Sequence, residues 1–124
     1  MSFKEYFGQQ DSLFPKLLSG FGGGIAQKGS ICGALIASIM GIGMKLGRTD
    51  PKDRETLMKL YEKVRQFWDQ FEKEFGSRDC HTLTGIRHDN PEEYNQWVAA
   101  GGKKKCADIV EKTAQMFFEL VERV

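Results

Sequence analysis

The stretch from Asp50 to Gly76 constrains the fold most. Leu57, Leu60, Tyr61, Val64, Phe67, Trp68, Phe71 and Phe75 recur there at three- and four-residue steps, a run of about five helical turns. That period lays apolar groups along one face, while Lys59, Glu62, Lys63, Glu72 and Lys73 fall on the other. Asp50 suits the N-cap, Pro51 the first helical position, and Asp53 and Glu55 the positive end of the helix dipole. Gly76 marks the stop. A helix with one long apolar face must be covered by other elements. No stretch of the chain alternates as a strand does, so the cover must be helical. The expected class is all-α, a single-domain bundle of about four to five helices over residues 1–124, around a buried helix of small residues.

The remaining helices follow from the same signals. A short one is expected from Ser12 to Ser19, with Pro15 near its start. The glycine-rich loop Gly20-Phe21-Gly22-Gly23-Gly24 comes next. A second helix is expected from Ser30, as N-cap, to Leu46, with Gly47 beyond it. It is apolar on every side, which implies burial, and Gly33, Ala34, Ala37, Ser38 and Gly41 give it a small-residue face that another backbone can approach. Its glycines each cost about 0.8–1 kcal/mol of helix stability relative to alanine, so close packing or a site must compensate. Ser77 to Asp89 reads as a connection. Asn90-Pro91-Glu92-Glu93 opens a short helix ending at Gly101-Gly102. A last helix runs from about Lys103, with Cys106, Ile109, Val110, Thr113, Phe117, Leu120, Val121 and Val124 on its inner stripe.

Charge and cysteine usage narrow the function. The formal net charge is +1, which weighs against a nucleic-acid partner, since that needs a concentrated basic surface. The longest apolar run, Ile31 to Met44, is too short and glycine-rich to span a bilayer. The opening MSFKEYFGQQDS has no cationic start followed by an apolar core, so a cytoplasmic protein is expected. The three cysteines, Cys32, Cys80 and Cys106, are odd in number and widely spaced, which argues against both a zinc ribbon and a disulfide scaffold. A phosphate-binding loop is disfavoured too, because no strand precedes the glycines and the Walker lysine is missing. No catalytic triad or His-Glu-x-x-His is present.

Each thiol has a position that matters. Cys32 is expected just inside a helix N-terminus, and Cys106 in the first turn of the last helix, where free N–H groups and the dipole favour a thiolate. Lys103, Lys104 and Lys105 stand beside Cys106, either solvated or balancing a nearby anion. Cys80 is followed by His81, and thiolate with imidazole is a ligand pair for soft or borderline metals. Three readings stay open on these residues. The cysteines gather around a metal or cluster, with His81, His88 or an outside group as fourth ligand. Two of them form a reversible disulfide. Or they are inert, in a non-catalytic interaction module that pairs as a homodimer through the small-residue helix.

Several segments carry a resemblance. SGFGGGI, then ICGA, GMKLG, FGSRDC with LTG behind it, and KKKCADIVEKTA resemble the family of redox-active proteins named for the motif C-GCAxxG-C-C, from about Leu17 onward. The resemblance implies a helical protein whose cysteines act together in redox chemistry or metal binding. That family is similar to the N-terminal region of split-Soret cytochromes, for which an iron–sulfur site is implied. Cys32, Cys80 and Cys106 match its later cysteines. The early Cys-x-x-Gly-Cys-Ala segment is absent here. By this resemblance an iron–sulfur cluster is the expected cofactor, a redox protein the expected partner, and Gly22, Gly23, Gly24 and Gly33 the backbone that approaches the cluster.

Overall fold

The computed structural model describes residues 13–122. It contains six α-helices among them: α1 (Leu13–Leu18), α2 (Gly33–Leu46), α3 (Arg54–Phe75), α4 (Cys80–Thr84), α5 (Pro91–Ala99) and α6 (Gly102–Glu122). A 3-10 turn, Ser19–Phe21, extends α1. There is no strand among the described residues, only one isolated antiparallel bridge between Ile31 and Asp79. The all-α class therefore holds. The expected start at Ser12, the N-terminal dodecapeptide and Val124 lie outside the described residues.

The core forms where α2 packs against α3 on one side and α6 on the other. Leu35 and Ile42 of α2 meet Phe67 and Phe71 of α3 and Phe117, Leu120 and Val121 of α6 there. Four of these residues, Leu35, Ile42, Phe67 and Phe71, have no exposed surface. Two hydroxyls, Ser38 and Thr113, enter this apolar region without penalty. Each donates to a carbonyl one turn back in its own helix, Ala34 at 2.8 Å and Ile109 at 2.6 Å.

The helix borders depart from expectation in informative ways. The long helix α3 starts three residues late, at Arg54. Asp53, not Asp50, is its cap and accepts from the Thr56 N–H at 3.1 Å and the Thr56 hydroxyl at 2.6 Å. Asp50 and Pro51 form the turn before it, with Asp50 accepting from the Asp53 N–H. Helix α2 starts at Gly33 with Cys32 as N-cap residue, because residues 30–32 are committed to pairing with residues 78–80 instead. Nor is α2 buried all round: Leu35, Ser38, Gly41 and Ile42 are buried, while Met44 is 42% exposed. On α3 Tyr61 is exposed, and on α6 Val110 is 55% exposed, so both stripes are narrower than their spacing predicted. The segment read as a plain connection contains α4. None of the described helices is long and apolar enough to cross a membrane.

Candidate functional site

Two chain segments distant in sequence are joined by main-chain hydrogen bonds. The Cys32 N–H donates to the Arg78 carbonyl at 2.8 Å, the Cys80 N–H to the Ser30 carbonyl at 2.6 Å, and the His81 N–H to the Gly29 carbonyl at 3.1 Å. About the Ile31–Asp79 bridge, alternation turns Cys32 and Cys80 to the same face. Arg78 fixes this junction to α3. Its guanidinium pairs with Glu72 at 2.8 Å and lies 4.4 Å from the centre of the Trp68 ring.

The glycine loop makes the junction possible. Five consecutive residues, Gly23, Gly24, Ile25, Ala26 and Gln27, have φ of 64°, 73°, 69°, 47° and 66°. Such a left-handed run costs about 1–2 kcal/mol for each residue that carries a Cβ. It is held by main-chain hydrogen bonds that no ordinary helix makes, including Ala26 N–H to Gly20 C=O and Gln27 N–H to Gly22 C=O, both at 2.9 Å. At Gly24 the backbone presses directly on the site: a Cβ there would lie 2.6 Å from Cys80 Cβ and 2.6 Å from the Ser30 nitrogen. At Gly29 a Cβ would lie 2.9 Å from His81 Cβ. Glycine is required at these two positions by close approach as well as by φ.

All three cysteines line one cavity of about 290 Å³. Gly23, Gly24, Gly33 and His88 line it with them, and Leu83, Ile109 and Val110 supply apolar wall. Cys32 stands at the head of α2, Cys80 begins α4, and Cys106 comes from α6. Cys106 is the fifth residue of its helix, past the first turn in which it was expected. Lys104 beside it is solvated and paired with Asp108 at 3.1 Å. No disulfide links the cysteines.

The thiols act on one another electrostatically. Burial pushes the Cys80 thiol up to about 11, and negative charge on Cys32 and Cys106 adds to the rise. The Cys106 thiol is also raised, first by burial and then by Cys32, with Lys105 opposing. Cys80 is only 8% exposed. Cys80 and Cys106 therefore stay protonated near neutral pH. A soft cation placed among them would reverse that balance, because it stabilises each thiolate directly.

The two histidines have different surroundings from those their sequence positions implied. His81, next to Cys80 in sequence, is exposed, and its Nδ1 is 2.8 Å from the Ile86 carbonyl. It faces a polar cleft with Lys28, Asp79, Arg87 and Asp89, away from the cysteine cavity. His88 faces that cavity, with Nδ1 3.9 Å from Cys80 Sγ. Burial lowers its pKa, which keeps the imidazole neutral near pH 7. Gly22 is exposed with no atom near a Cβ position, and does not line the cavity. His88 was an expected alternative to His81 as fourth ligand, and of the two it is the one that lines the cysteine cavity.

A larger apolar groove of about 570 Å³ runs between α2 and α6, past Ala34, Ala37, Ser38, Val110 and Phe118. It shares Ala34 and Val110 with the cysteine cavity. It contains no cysteine or histidine, so the redox-capable groups belong to the smaller cavity.

The donor set fits a thiolate-bound metal or cluster in its chemistry: three sulfurs, one imidazole, and backbone free of side chains at Gly23 and Gly24. As the side chains stand, the described residues include no group of three or more His, Cys, Asp or Glu placed to hold a metal ion. Each cysteine sulfur has three staggered positions about its Cα–Cβ bond, so the sulfurs of a shared cavity can change their mutual distances by rotation.

Comparison with known protein families finds one described as "Putative redox-active protein (C_GCAxxG_C_C)", which matches residues 1–120. The match begins earlier than the resemblance from Leu17 implied. No curated protein and no solved structure matches.

Proposed function

Because the chain belongs to the C_GCAxxG_C_C family of redox-active proteins, we propose that it is an electron-transfer protein in which Cys32, Cys80 and Cys106 hold an iron–sulfur cluster. One observation carries this reading: three cysteines from three separate segments, the N-cap of α2, the start of α4 and the body of α6, line a single cavity of about 290 Å³. The raised thiols of Cys80 and Cys106 support the same reading, since the burial and the neighbouring negative charge of Cys32 that oppose their ionisation are offset by a cation. When bound, the cluster supplies one-electron transfer at a potential set by its ligands and solvent exposure. The chain's own contribution is to present three thiolates, to exclude water with Leu83 and Ile109, and to bring bare backbone close at Gly23 and Gly24.

The test is iron and acid-labile sulfide analysis with absorption spectroscopy on protein purified without oxygen. Iron and sulfide in comparable amounts, lost in Cys32→Ser, Cys80→Ser and Cys106→Ser, are expected. Three titratable thiols with no iron or sulfide, both as purified and after anaerobic reconstitution, would sink the cluster reading.

A further inference from the structure

We infer that His88 is the fourth protein donor at the three-cysteine cavity, and that α5 is built to aim it there. This rests on the cluster reading above. The imidazole lines the cavity, and its Nδ1 is 3.9 Å from Cys80 Sγ, the most buried of the three sulfurs. The other histidine cannot take this place without leaving the Ile86 carbonyl and crossing to another face of the molecule.

His88 is held where it is by aromatic and main-chain contacts. The Trp97 ring meets it edge-on at 5.2 Å between centroids, and the Tyr94 ring lies at 5.6 Å. Those two rings also touch one another at 5.9 Å. Trp97 is seated on Gly102, where a Cβ would collide with the indole. The backbone on either side of His88 is tied down as well. The Arg87 N–H donates to the Glu93 carboxylate at 3.1 Å, and the Asn90 N–H to the Arg87 carbonyl at 3.1 Å. Asn90 in turn caps α5 by accepting from the Glu93 N–H at 3.2 Å. A surface loop histidine with no task would not need this support.

Charge gives a reason for imidazole over a fourth thiolate. With a cluster bound, three thiolates would share the cavity, and a neutral nitrogen donor would complete four-fold ligation without adding negative charge. Replacing thiolate by imidazole on an iron–sulfur cluster raises its reduction potential.

The test reads nitrogen coupling, not activity. The full chain is reconstituted anaerobically with ferrous iron and sulfide, reduced with dithionite, and studied by pulsed electron paramagnetic resonance with unlabelled and ¹⁵N-labelled histidine. The wild type is expected to show coupling that responds to the label. His81→Ala is expected to keep it and His88→Ala to lose it, and His88→Cys should have a lower reduction potential than the wild type. A wild-type cluster with no histidine coupling, or coupling that persists in His88→Ala, would overturn the assignment of His88 while leaving the three thiolates in place. A wild type that takes up no iron and sulfide would overturn both. The isotope comparison needs no variant, so a misfolded His88→Ala protein would not rescue the idea.

Discussion

Replacing Gly24 by alanine should cost far more than the same change at Gly76 or Gly22. Two effects combine there. The residue has φ of 73°, which costs about 1–2 kcal/mol once a Cβ is present. The added carbon would also lie 2.6 Å from Cys80 Cβ, 2.6 Å from the Ser30 nitrogen and 2.8 Å from the Gly29 carbonyl carbon. Two of these neighbours are backbone, so no side-chain rotation relieves the overlap. Overpacking of this kind costs about 1–3 kcal/mol, which brings the total to about 2–5 kcal/mol. Two other glycines separate the effects. Gly76 has φ of 84° and nothing within 4 Å of a Cβ, so Gly76→Ala should lose only the conformational part. Gly22 has φ of −62° and open space, so Gly22→Ala should stay within about 0.5 kcal/mol of wild type. Urea unfolding of the reduced, chelator-treated protein measures all three. The expected order is Gly24→Ala well below Gly76→Ala, and Gly76→Ala below Gly22→Ala. Equal losses for Gly24→Ala and Gly76→Ala would refute the claim that the loop is pressed against Cys80.

Two further outcomes follow from the same geometry. The Cys80 thiol is raised from its ordinary 9.0 to about 11 in the folded protein. Its contribution is therefore complete below pH 9, where both states are protonated, and is lost as pH rises towards 11 because only the unfolded thiol ionises. The reduced, metal-free protein should lose about 2–3 kcal/mol over that window. Thermal melts of wild type and Cys80→Ser from pH 7.5 to 11 check this, and equal slopes would contradict it. Phe67, fully buried between α2 and α3, should cost about 3–5 kcal/mol on truncation to alanine. A change below 1 kcal/mol in urea unfolding would mean that the packing of α3 on α2 is not as described.

The helices were legible because their signals are local. The stripe from Leu57 to Phe75 and the Asn90-Pro91 cap place α3 and α5 within a few residues of where they stand. The borders of α2 and α3 were missed for different reasons. Asp50 and Asp53 are both good caps, and only the Thr56 contacts decide between them. Ser30 is a good cap too, but its carbonyl is taken by the Cys80 N–H, a partner fifty residues away in sequence that no local pattern reveals. The left-handed conformation of Ile25, Ala26 and Gln27 was equally hidden. None of these residue types favours it, so the surrounding hydrogen bonds impose it. His81 looked like the partner of Cys80 because the two are adjacent. Adjacent residues on a helix point to different faces, and the more distant His88 is brought to the sulfur by the turn before α5.

The junction of residues 29–32 with 78–81 has a consequence for how such a protein can change over generations. The bonds that set Cys32 beside Cys80 run between peptide groups and use neither sulfur. Peptide groups are common to every residue type but proline. Exchange of either sulfur for a donor of similar size therefore alters what the cavity can do and leaves the main-chain frame standing. Chemistry and scaffold are inherited separately here, so descendants of this chain can lose a thiol, or exchange it for another donor, without first having to find a new fold.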